Sequence, residues 1–186
     1  YSASTDKTTA LTMTNHSYFN LCGNLAETIQ DHIVTIDSDE FVELDEELIP
    51  TGNKIDVTDT PFDFRQGRKV VDGMHSTYEQ NLVATNGYDH YFIFNQNHDE
   101  KVRVKEETSG RVMTVKTNQP GVVMYTSNTL EKGIALAEGK SERYLGVCFE
   151  TQGSPASLHY DSFPTIILNA DETYEKQTVF SFNVED

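Results

Sequence analysis

Short runs of β-branched and aromatic residues recur along this chain, each closed off by Asn, Asp, Gly or Pro. Leu11-Thr12-Met13-Thr14, Ile33-Val34-Thr35-Ile36, Tyr91-Phe92-Ile93-Phe94 and Val122-Val123-Met124-Tyr125 are the clearest, and runs of this length and make-up predict strands. The sharpest alternation lies in Val102-Arg103-Val104-Lys105-Glu106 and Arg111-Val112-Met113-Thr114-Val115, separated by a turn near Ser109-Gly110. A period of two on both arms predicts a hairpin with one buried face. Leu145 to Phe149 reads as an apolar strand that delivers Glu150 at its end. Asp45 to Gly52 and Asp59 to Arg65 read as loops or strand exits, because each contains a proline that removes a ladder donor. Gly67 to Asn81 has scattered charges and little periodicity, and is read as a short helical turn or a long loop. No stretch has the spacing of a long amphipathic helix. Many short strands without internal repeats or low-complexity linkers imply an all-β domain, a sandwich or a barrel.

A chain of 186 residues is one domain's worth, able to bury roughly two thirds of its unfolded surface in a single core. The formal net charge of −16 repels phosphate backbones and anionic lipid, so nucleic acid and membranes are poor partners. Only five of the basic residues are arginine and none adjoins another, so no clamp for a phosphorylated ligand is visible. Cys22 and Cys148 lie far apart without CxxC or Cys/His spacing, which points to reduced thiols in a cytoplasmic protein and to neither zinc site nor disulfide framework. His32, His75, His90, His98 and His159 show no HExxH pattern and no pairing at helical spacing. They are read as structural or surface residues, and no metal is expected. GxSxG, Walker and GxGxxG motifs are missing as well, which removes the usual hydrolase, nucleotidase and dinucleotide readings.

Chemistry concentrates in three segments: Asn15-His16-Ser17-Tyr18-Phe19-Asn20-Leu21, Asn86-Gly87-Tyr88-Asp89-His90 and Gly146-Val147-Cys148-Phe149-Glu150-Thr151-Gln152. With Pro61-Phe62-Asp63-Phe64-Arg65, Asn118-Gln119-Pro120-Gly121, Tyr125-Thr126-Ser127-Asn128 and Phe163-Pro164 they form an ordered set spanning nearly the whole chain. That set resembles the aldose 1-epimerase (galactose mutarotase) family. The resemblance implies a large antiparallel β-sandwich over 1–186, a sugar site in an open cleft, and cofactor-free exchange of the α and β anomers of a free hexose such as galactose or glucose. Family members carry a further stretch upstream that supplies an Asn-Arg pair and another histidine to the sugar site. The chain begins at Tyr1, too late to contain it, and so resembles the later part of such a domain with its amino-terminal part absent.

The resemblance assigns His16 as general acid and Glu150 as general base, with Tyr18, Asp89 and Gln119 holding the sugar. Opening a cyclic hemiacetal needs a proton delivered to the ring oxygen while another leaves the anomeric hydroxyl, and two facing groups suffice. Glutamate would need its ordinary pKa of about 4.3 raised by burial to serve as an effective base. Asp89 offers charge-assisted acceptors for hydroxyls, and the Gln119 amide can both donate and accept. Two other readings stand beside this one: a non-catalytic sugar-binding or sensory module on the same fold, and an inactive fragment with uncovered strand edges.

Overall fold

The computed structural model describes residues 1–186 except 24, 26, 97 and 186. Among the described residues the chain forms strands β1 (Ser2–Ser4), β2 (Thr9–Ala10), β3 (Ile33–Ile36), β4 (Ser38–Leu44), β5 (Pro50–Asp56) and β6 (Arg68–Lys69). Two short helices follow, α1 (Val71–Met74) and α2 (Glu79–Val83). After them come β7 (Asp89–Phe94), β8 (Glu100–Lys105), β9 (Arg111–Thr117), β10 (Gly121–Tyr125), β11 (Ala135–Leu136) and β12 (Gly139–Lys140). The last four strands are β13 (Cys148–Gln152), β14 (Ile167–Leu168), β15 (Thr173–Glu175) and β16 (Thr178–Val184).

Two five-stranded antiparallel sheets, ordered β13-β10-β7-β4-β5 and β16-β9-β8-β3-β6, carry the architecture. They share one core, so the fold is an all-β sandwich. Cross-strand register explains which residues meet inside. In one sheet Ile36, Val102, Val115 and Phe180 form a row, and Val34, Val104, Met113 and Phe182 form the next on the same face. In the other, Phe92 pairs with Val122, and His90, Met124 and Phe149 line up across three strands. Each row is buried except at its β16 end, where Phe182 is 58% exposed.

The alternation of β8 and β9 folds as the expected hairpin, and the runs at Ile33, Tyr91 and Val122 are strands as well. Pro50 stands as the first residue of β5, a position where the missing donor is tolerated. Leu11 to Thr14 is not a strand. Its polar groups are taken up elsewhere: the Leu11 N–H by the Ile166 carbonyl, the Met13 N–H by the Tyr174 hydroxyl, and the Thr12 hydroxyl oxygen by the Gly153 N–H. The segment from Gly67 to Asn81 contains β6, α1 and the start of α2. Buried Gln80 of α2 both accepts from the Leu44 N–H and donates to the Leu44 carbonyl, so a side-chain amide extends the β4 ladder.

Phe62 stands at the centre of the core, stacked on Phe41 with ring centroids 4.0 Å apart and edge-on to His90 and Tyr88. Replacing a fully buried ring of this kind leaves a cavity that neighbouring rings fill only in part. Phe62→Ala is expected to lower stability by about 3–5 kcal/mol in urea denaturation. A loss under about 1 kcal/mol would mean that the aromatic cluster repacks freely.

Candidate active site

Residues two apart on a strand share a face, and register then fixes the neighbours across the sheet. Asp89, Tyr125 and Cys148 form one row across β7, β10 and β13, and Tyr91, Val123 and Glu150 form the next. Both rows lie on the face opposite the His90–Met124–Phe149 row of the core. Glu150 is the middle residue of β13, with two ladder residues on either side of it, where a place at the strand's end was expected from sequence. The run before it is strand only from Cys148 onward.

His16 reaches this face from an irregular segment. The Asn15 side chain accepts from the Ser17 N–H at 2.9 Å, a local turn of the Asx kind. Three residues on, Phe19 and Val147 exchange two backbone hydrogen bonds of 2.9 Å, an isolated bridge at the entry to β13. Asn20 donates to the Leu145 carbonyl, and the Leu21 N–H donates to Nε2 of buried His32. The result is His16 Nε2 at 3.2 Å from Glu150 Oε1, with the imidazole side chain 53% exposed and the carboxylate 13%. His16 stacks on Tyr18 at 5.2 Å, and Tyr125 stands edge-on to both rings.

Asp89 opens β7 after a turn in which Thr85 and Asn86 have positive φ. Asn128 fastens that turn by donating to the Ala84 and Tyr88 carbonyls at 2.7 and 2.9 Å. A Cβ on Gly87 would overlap the Asn128 and Thr126 side chains, so the close approach needs glycine. His90, turned into the core, accepts from the Asp89 N–H and meets Gln80 Oε1 at 3.1 Å.

Burial governs the electrostatics. It pushes the Asp89 carboxyl up to about 6, against a smaller opposing pull from His16. Glu150 is raised as well, by burial first, with His16 lowering it and the Asp89 charge raising it. Cys148, in the Asp89 row and two residues before Glu150 on β13, has its thiol pushed up to about 12 by burial and then by Glu150 and Asp89.

The structure thus brings together four of the five residues assigned from sequence: His16 and Glu150 in direct contact, Tyr18 against His16, and Asp89 on the same sheet face. Gln119 lies beyond the opposite end of β10 from Tyr125. Its amide nitrogen donates at 3.1 Å both to the Met13 carbonyl and to the Tyr174 hydroxyl, and it lines a separate depression of about 300 Å³ with Thr12, Gly153 and Ile166. Tyr125 and Cys148 were not singled out as site residues from sequence. The signal that could have found Cys148 is its spacing of two from Glu150 on a strand. No metal was expected, yet the ligand atoms of His16, Cys148 and Glu150 lie within 4.8 Å of one another.

The chain and its fold are similar to those of known proteins. A profile described as aldose 1-epimerase matches residues 1–181. The chain belongs to that family. It is 38% identical to the galactose mutarotase of Bos taurus over 187 aligned residues, covering 99% of this chain and 53% of that protein. A GalM/aldose epimerase homologue from C. elegans superposes with a TM-score of 0.88 at 27% identity, covering 100% of this chain and 55% of its own. Galactose 1-epimerase from Lactobacillus acidophilus gives 0.82 at 29% identity, covering 100% and 52%. The chain therefore spans about half the length of the relatives it matches. Among the described residues no helix is long and apolar enough to cross a membrane.

The raised Asp89 pKa has a consequence for stability. With a folded-state value of about 6 against about 3.9 unfolded, the folded state holds the proton more tightly. Asp89 is then harmless to stability below about pH 4, and its destabilising effect grows as pH rises through about 6. Asp89→Asn should stabilise the chain at pH 7 by on the order of 2 kcal/mol and leave it unchanged near pH 3.5, read from urea unfolding at the two pH values. Equal stability of variant and parent at pH 7 would contradict a buried, strained carboxylate.

Proposed function

We propose that this chain carries the acid–base half of an aldose 1-epimerase site, which interconverts the α and β anomers of a free hexose such as galactose or glucose. The observation that supports the reading best is the contact between His16 Nε2 and Glu150 Oε1, 3.2 Å apart at the mouth of the face. The two oxygens that must exchange protons, the ring oxygen and the anomeric hydroxyl, are bonded to the same carbon. An acid and a base serving them must converge on nearly one point.

In the forward direction His16 donates its Nε2 proton to the ring oxygen while Glu150 takes the proton of the anomeric hydroxyl. The bond from the anomeric carbon to the ring oxygen breaks, leaving an open-chain aldehyde, a neutral imidazole and a protonated Glu150. Rotation about the bond beside the carbonyl presents its other face. Reclosure then reverses both transfers and restores the starting protonation. Asp89 accepts from sugar hydroxyls, and Tyr18 offers a half-exposed ring face beside the imidazole. Both protons of the Gln119 amide are engaged, so only its side-chain oxygen would be left for a sugar hydroxyl. The relatives' greater length supports a further segment, joined to this one or supplied beside it, that completes the sugar site. Two free cysteines favour a reducing compartment such as the cytoplasm.

Glu150→Gln should lower anomer exchange by about 10²–10⁴-fold, the usual worth of a general base, while galactose affinity, read by calorimetry, changes little. Full activity in that variant would remove Glu150 from the base role. A second test is pH. Since the carboxylate must be ionised to take the proton, the rate falls as pH drops through its raised pKa, and the acid limb of kcat/KM should lie above the ordinary glutamate value of about 4.3. A limb at or below that value would mean that burial does not tune the base.

A further inference from the structure

We propose that His16, Cys148 and Glu150 also form a binding site for one divalent cation of borderline softness, of which Zn²⁺ is the type, and that the cation excludes the sugar. The ligand atoms offered are an imidazole nitrogen, a thiol sulfur and a carboxylate oxygen, mutually within 4.8 Å. Three protein ligands of this mixed kind leave a fourth, open position, the pattern of accessible zinc sites. Two ligands at 2.0–2.1 Å on a tetrahedral ion are roughly 3.3 Å apart, and His16 Nε2 and Glu150 Oε1 already stand at 3.2 Å. The cation therefore needs little rearrangement of that pair, only its insertion where the hydrogen bond now runs.

Cys148 and Glu150 project from one strand at a spacing of two, so their separation is set by β13 itself. His16 comes from a segment without regular ladder bonds until Phe19, so it, rather than the two strand residues, makes the adjustment that coordination requires. Asp89, in the same row as Cys148, adds a further carboxylate to the face. A thiolate among the donors disfavours Mg²⁺ and Ca²⁺, which prefer oxygen. Coordination releases the thiol proton to solvent and forms a metal–sulfur bond with no change of oxidation state. The exclusion of sugar rests on the proposed function, because a cation on His16 and Glu150 occupies both proton-transfer groups. The binding itself does not rest on it.

Titration of the chain with Co²⁺ tests the site without any sugar. The expected result is one equivalent bound, with the intense visible bands of a tetrahedral ion, a near-ultraviolet thiolate-to-cobalt band, and displacement by Zn²⁺. The near-ultraviolet band should disappear in Cys148→Ser and Cys148→Ala and persist in Cys22→Ala, while His16→Ala weakens affinity at least about tenfold. Circular dichroism of the two Cys148 variants identifies the one that keeps the fold, and that variant is the one judged. Absence of the near-ultraviolet band in the parent, its survival in the folded Cys148 variant, or its loss in Cys22→Ala would overturn the site. Galactose then separates the two parts: weakening of Co²⁺ binding as galactose is added supports exclusion, and an unchanged cobalt affinity in saturating galactose overturns exclusion alone.

Discussion

Two backbone hydrogen bonds between Phe19 and Val147 hold an otherwise irregular segment against the entry to β13, and the position of His16 depends on them. Three residues before Phe19 the imidazole meets a carboxylate, and three residues after Val147 that carboxylate projects from the same strand. The rest of the sandwich serves this bridge. Buried rows behind the sheet prevent β13 from sliding, because a slip of one residue would turn Glu150 into the core and Phe149 out. Asn20 and His32 fasten the far side of the segment through Leu145 and Leu21.

Stability and chemistry pull in opposite directions at this face. A carboxylate half removed from water is costly to ionise, and that cost raises the pKa of Asp89 and Glu150. The same burial makes Glu150 a stronger base than an exposed glutamate would be. The imidazole alongside limits the shift of Glu150, and in the proposed reaction it would supply the acid. Tyr125 stands at the junction, edge-on to His16 and Tyr18 and in register between Asp89 and Cys148. The aromatic pair and the two carboxylates thereby form one continuous surface, although they come from three separate stretches of chain.

Much of this was legible in the residues, and the parts that were not have physical reasons. The hairpin of β8 and β9 was readable because its charges and apolar residues alternate without interruption. Leu11 to Thr14 has the composition of a strand but no ladder neighbour among the described residues; its Leu11 and Met13 N–H groups donate to Ile166 and Tyr174 instead, and its Thr12 hydroxyl accepts from the Gly153 N–H. Composition reports what a strand could be made of, while pairing depends on distant chain. Glu150 was assigned a role by its company, but its place in mid-strand depends on where the ladder with β10 starts, a property of both strands. Gln119 looked suited to a hydroxyl partner, and its amide found one in Tyr174. The grouping of His16 with Cys148 is a matter of cross-strand register and the Phe19 bridge, and no local spacing announces it.

In the proposed reaction His16 and Glu150 together move the protons of anomer exchange. The most direct test is the optical-rotation decay of freshly dissolved α-galactose, measured with this chain and with a longer one extended to the length of the relatives, each alongside His16→Ala and Glu150→Gln. Faster decay is expected with at least the longer chain, reduced to near the buffer rate by either substitution. Acceleration that survives both substitutions, or saturable galactose binding by the longer chain without any acceleration, would contradict it.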